Sequence, residues 1–173
     1  FLPAIVGSLL LLLTIAIITV PIGVGTAIYL EEYSNKKSRI YSFLEINISN
    51  LAGVPAIVYG LLGLAIFSRV DSIRGTVLSG ATVLSLMVLP VIIVSSREAI
   101  KAVPKILIEA AYGLGMTKLQ MIKAVILPYA APGIFTGVIL ALSRAIGESA
   151  PILVVGAASM VTKLPKGILS RYT

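Results

Sequence analysis

The chain has 173 residues, 58% of them hydrophobic, with a mean hydropathy of +1.06. Soluble domains hold roughly 45–50% apolar residues, so lipid is the solvent for most of this chain. Lysine and arginine number 14 against 7 aspartate and glutamate, a surplus that in a membrane protein records basic residues kept on one side of the bilayer and implies no nucleic-acid surface. With no cysteine and no histidine, disulfides, Ser-His or Cys-His dyads and the commonest metal ligand are excluded, and no metal or cofactor is expected.

Phe1 is not a start methionine, and residues 1–30 lack the basic region and cleavage site of a signal peptide, so the chain reads as the core of something longer. Residues 1–30 also carry no charge, and about 20 apolar residues cross a bilayer, which places a first span over 3–30 with a bend at Pro21, Gly23 and Gly25. A polar connector from Glu31 to Glu45 follows, with Lys36, Lys37 and Arg39, and with Tyr29, Tyr33 and Tyr41 at headgroup level. The second span, 46–67, is interrupted. Asn47 and Asn50 stand three apart on one helical face, just before Gly53-Val54-Pro55. A helix broken in lipid is tolerated only where protein or a water-filled cavity satisfies the freed backbone groups. These residues therefore line a pathway, or belong to a kinked bundle helix whose amides bond a neighbour. A turn with Arg69, Asp71 and Arg74 leads to the third span, 76–95, which contains Pro90.

The longest hydrophilic interruption, 96–128, separates the third span from the fourth. Pro104 opens a short helix there, and Gly113 and Gly115 supply the left-handed conformation that ends it. Thr117 and Gln120 have the spacing of a capping box for a second helix, which Pro128 is expected to stop. Helices of about ten residues are marginal alone, so both need a surface to pack on. Ile106, Leu107, Ala110 and Leu114 form an apolar stripe, with Lys105 and Glu109 polar beside it. Such a stripe serves either as a docking element or as packing against its own bundle.

The string from Glu109 to Pro128, EAAYGLGMTKLQMIKAVILP, resembles the signature loop of binding-protein-dependent ABC importer permeases. Glu109, Ala110 and Ala111 match its opening triplet, Gly115 its glycine, Val125 its aliphatic position, and Leu127 with Pro128 its close. The flanks, Glu45 to Leu64 and Ser143 to Pro151, resemble the permease subunits of phosphate importers. The resemblance implies an all-α, polytopic membrane helical bundle of the MetI-like permease type, here a core lacking its terminal helices. It implies a multi-pass protein of the cytoplasmic membrane of a bacterium or archaeon. The implied partners are two ATP-binding cassette subunits, a second permease in a heterodimer and an extracytoplasmic phosphate-binding protein. Glu109 would then be the polar contact with the ATPase, Ala110 and Ala111 the close-packing ones, and Gly115 the turn. The motif is shared by importers of molybdate, sulphate and other solutes, and a gradient-driven carrier is the reading from a different class.

The fourth span, 129–147, is uncharged until Arg144, which lies roughly 22 Å along the helix from Tyr129 at 1.5 Å per residue, in the outer half of a core about 30 Å thick. A charge there costs about 2.5–3.5 kcal/mol to insert. Gly133, Gly137 and Ala141 step by four, and Arg144 and Glu148 are expected to continue that stripe, either as a structural ion pair or as an anion-binding fork facing the path. The uncharged run to Thr162 is open between a re-entrant piece and a surface loop. With the signature loop inside, eight basic residues (Lys36, Lys37, Arg39, Arg97, Lys101, Lys105, Lys118, Lys123) fall on its side and five (Arg69, Arg74, Lys163, Lys166, Arg171) opposite. Gly-Lys, essential to the nucleotide-cradling Walker A string, occurs nowhere. No nucleotide is expected on this chain, and the resemblance implies that ATP is bound by a separate subunit.

Overall fold

The structure, a computed structural model, describes residues 2–67, 76–155 and 167–169. Among these the secondary structure is helical throughout, apart from one isolated bridge residue at Thr76. Helix α1 (Leu2–Ile28) runs into a π-turn, Tyr29–Tyr33; α2 (Arg39–Ala52) and α3 (Ala56–Phe67) follow, then α4 (Val77–Lys101). The loop region holds α5 (Lys105–Gly113) and α6 (Lys118–Met121). A second π-turn, Ile122–Ile126, leads into α7 (Leu127–Gly147), and α8 (Ala150–Val155) closes the described bundle. Three helical stretches, 2–33, 77–101 and 118–147, are long and apolar enough to cross a membrane, and the α2–α3 pair makes a fourth if its bend lies within one span.

Helix α4 is the centre. Two-thirds of its most apolar window, 67%, is buried within the chain, against 22% for the first stretch, because α1, α2, α3, α7 and α8 all pack on it. The outer helices turn their other faces outward: Leu9, Leu13 and Ile17 of α1 and Phe135, Ile139 and Leu140 of α7 are exposed, as suits contact with lipid tails. Close backbone approach depends on glycine. A Cβ on Gly137 of α7 would collide with Ser95 of α4, and one on Gly60 of α3 would stand 2.9 Å from the Pro151 Cα of α8. Gly133, Gly137 and Ala141 thus do form a packing stripe. Its continuation is Ala145, 1% exposed, whereas Arg144 lies just off the stripe and is exposed.

The second span is an elbow. Helices α2 and α3 meet at 102° across Gly53–Pro55, so residues 46–67 are not one straight helix, and α2 begins seven residues before the expected boundary. Pro55 has no N–H to continue the ladder, and the freed groups are satisfied locally. The Leu51 carbonyl accepts from the Val54 N–H at 3.2 Å and from the Tyr59 hydroxyl at 2.8 Å. Neither asparagine braces the bend with its side chain: Asn47 donates to the Phe43 carbonyl one turn back, and both residues are exposed.

Pro128 does not stop a helix. The chain is helical from Lys118 to Gly147, because the π-turn shifts the hydrogen-bond register just before the proline, with the Leu127 N–H bonded to the Ile122 carbonyl. Pro128 then occupies the first turn of α7, where its missing donor costs little. The expected turn at Arg69, Asp71 and Arg74, the run from 156 to Thr162, and Lys163, Lys166 and Arg171 lie outside the described residues.

Candidate functional site

The loop between α4 and α7 is rigidly terminated. Gly115, at φ +76°, occupies the left-handed position after α5; its N–H bonds the Tyr112 carbonyl at 2.9 Å and the Met116 N–H reaches the Ala111 carbonyl at 3.1 Å, the paired bonds of a Schellman cap. Thr117 and Gln120 complete the expected capping box. The threonine hydroxyl accepts from the Gln120 N–H, and the Gln120 side chain accepts from the Thr117 N–H at 2.8 Å. Two caps a few residues apart fix the angle between α5 and α6.

That angle decides which face of α5 is free. Ala111 is 3% exposed and packs into the main core with Ile108 and Met116. The stripe does the opposite: Ile106 is 72% and Leu114 79% exposed, with Leu107, Glu109 and Ala110 open beside them. The triplet Glu109-Ala110-Ala111 is therefore split between an outward-facing pair and an inward anchor. Leu127 is half-buried and Pro128 exposed, where α7 begins.

At the opposite end of α7, Arg144 and Glu148 pair at 3.7 Å, with side chains 49% and 28% exposed. Glu148 is in extended conformation, ending α7, and α8 turns back to pack on the Gly60 and Gly63 face of α3. The space inside the elbow is an apolar cleft of about 510 Å³ lined by Leu51, Val54, Tyr59, Leu86 and Pro90 among others, and no charged side chain among the described residues lines it. Among those residues a hydrated anion finds no charged partner there. Asn47, Asn50 and the Arg144–Glu148 pair are thus not gathered into one enclosed site.

One cluster has no counterpart among the sequence expectations. Arg97, near the end of α4, is 5% exposed and holds three partners: Glu31 through Nε at 2.8 Å, and the Tyr41 hydroxyl and Glu45 through the same terminal nitrogen at 2.7 and 2.9 Å. Lys36 adds a bond to Glu31 at 2.7 Å. The Glu31 carboxylate raises the Lys36 pKa above its ordinary value, so that contribution is complete below the unfolded lysine pKa and is lost only as pH climbs through the raised one. Lys118 of α6 donates to the Glu32 carbonyl and sits 4.9 Å from the centroid of the Tyr33 ring. The only signal in the sequence is a lone arginine at the end of an apolar run, since its partners are 52, 56 and 66 residues away.

A sequence profile described as "Binding-protein-dependent transport system inner membrane component" matches residues 19–172. The chain belongs to this family. It is 39% identical over 152 residues to the phosphate transport system permease protein PstA of Mycobacterium leprae, covering 87% of this chain and 49% of that one. It is 36% identical over 147 residues to the probable ABC transporter permease protein YqgI of Bacillus subtilis, covering 85% and 50%. The chain thus spans about half the length of these curated relatives. A solved structure of the MetNI methionine ABC transporter in inward-facing form superposes with a TM-score of 0.72 at 21% identity, over 88% of this chain and 71% of that one, and shares the fold. Family and apolar helices together make this a multi-pass membrane protein.

Proposed function

We propose that the chain is the transmembrane core of an importer permease that carries inorganic phosphate across the cytoplasmic membrane, driven by ATP hydrolysed on separate subunits. One observation carries the coupling role: α5 presents Ile106, Glu109, Ala110 and Leu114 outward on a doubly capped loop, an apolar face with one acid that the described residues leave uncovered. An ATP-binding cassette subunit is the occupant this family reading assigns. Closure of two cassettes would push the loop, and the continuous helix from Lys118 to Gly147 would carry the displacement to Arg144. A second permease subunit and an external phosphate-binding protein complete the assembly.

Phosphate is supported by the relatives named for it and by Arg144, whose planar fork matches phosphate oxygens and whose pairing with Glu148 at 3.7 Å is loose enough for an anion to compete. The test is uptake by the assembled transporter in proteoliposomes. ATP-dependent, vanadate-sensitive phosphate import that molybdate and sulphate do not displace is the expected result. Preference for either of those anions would reassign the cargo, and uptake driven by an ion gradient without ATP would overturn the importer reading.

A further inference from the structure

Arg97 belongs neither to the docking face nor to the Arg144 pair, yet it is the one charged residue in the buried set among the described residues. Its guanidinium faces two elements at once. Nε serves Glu31 of the α1 π-turn, and the terminal nitrogen serves Tyr41 and Glu45, one turn apart on the same face of α2. This grip matters because α2 has a thin apolar seat: Tyr41 is its one buried residue, with Ile48 partly buried against Ile93 and Leu89 of α4. The π-turn is held from a second side as well. Three successive residues divide the work, with the Glu31 carboxylate on Arg97 and the Glu32 carbonyl and Tyr33 ring on Lys118 of the docking loop.

We propose that Arg97 is a positioning residue for energy coupling, a hub that fastens the elbow helix α2 to the same π-turn on which the docking loop rests, so that displacement of the loop is delivered to the elbow. The inference rests on the function proposed above. Its two acidic arms differ. The Glu31 side chain is 3% exposed and shared with Lys36, which makes it the fixed arm; the Glu45 side chain is 43% exposed and is the arm that can part when the elbow moves. A lysine at 97 would keep the charge but, as a point donor on a flexible stem, would not hold three partners at fixed angles.

The experiment uses the full-length permease assembled with its partner subunits in liposomes, and reads ATP hydrolysed per phosphate imported. Glu45→Gln and Arg97→Lys should assemble and hydrolyse ATP while that ratio rises roughly fivefold or more, the scale of a typical coupling free energy, and Glu45→Asp should restore it in part. Gly115→Val in the docking loop serves as the control. If Gly115→Val uncouples but Glu45→Gln keeps the native ratio, the hub only stabilises the bundle and the inference is overturned while the docking reading stands. The hub is likewise reduced to a stabilising role if Glu45→Gln assembles poorly but its surviving transporters keep the native ratio. If Gly115→Val also stays coupled, the docking reading fails and the hub falls with it.

Discussion

Arg97 and Arg144 each lie near the C-terminal end of a long apolar helix with a glutamate close by in the chain, and they end in opposite environments. Arg97 is enclosed by α1, α2 and α4 and held by three oxygens within 3 Å, whereas Arg144 is half exposed and meets one carboxylate at 3.7 Å. The nearest acid in sequence is a poor guide to the difference. Glu98 turns to Lys101, while the acids that hold Arg97 come from the connector after the first helix. A buried arginine held by three acceptors on two other elements builds a joint, and a loosely paired one leaves donors for something else.

The contrast can be broken by mutation, beginning where the effect is greatest. Arg97→Gln removes the charged hydrogen bonds to Glu31, Tyr41 and Glu45, while Lys36 stays on Glu31 and Glu45 can turn to water, and should cost about 2–3 kcal/mol, read as a loss of folded permease in detergent and a lower melting temperature. Native melting in that variant would mean the cluster is ornamental. Gly137→Leu forces a side chain into Ser95 of α4, and overpacking of this kind costs about 1–3 kcal/mol; the same substitution at Gly25, which has open space around it, should melt close to wild type. Tyr59→Phe removes the hydroxyl that caps the Leu51 carbonyl at the elbow and should lower stability by about 1 kcal/mol. Arg144→Gln should change stability least, by under about 1 kcal/mol, yet abolish phosphate uptake while ATP hydrolysis continues. Unchanged uptake would remove Arg144 from the pathway and leave the two arginines differing only in burial.

Much of the molecule is legible in the sequence where the cause is local. The capping box at Thr117 and Gln120, the left-handed Gly115 and the break at Gly53–Pro55 follow from the backbone chemistry of a few adjacent residues, and all three are present. The stripe at 106, 107, 110 and 114 is legible as a pattern but not in direction. Spacing defines a face without saying what covers it, and the smaller Ala111 is the residue that turns inward. The passage of a helix through Pro128 is hidden because a π-turn has no residue signature, and the Arg97 cluster because its members converge only in three dimensions. The step from 141 to 144 is helical, which is why the sequence puts Arg144 on the packing stripe. Ala145 takes that position, being small enough to stay against the bundle.

The most direct test uses the absence of cysteine from these 173 residues, in a transporter whose other cysteines are replaced. Single cysteines introduced at Ile106 and Leu114, paired with cysteines on the surface of the companion ATP-binding subunit, should form disulfides in the assembled transporter whose yield changes when ATP is bound. Cysteines at Ala111, which faces the bundle, should give none. Should positions 106 and 114 stay unreactive toward that subunit while reacting with a membrane-impermeant reagent added from outside the cell, the loop is on the wrong side of the membrane to receive an ATPase.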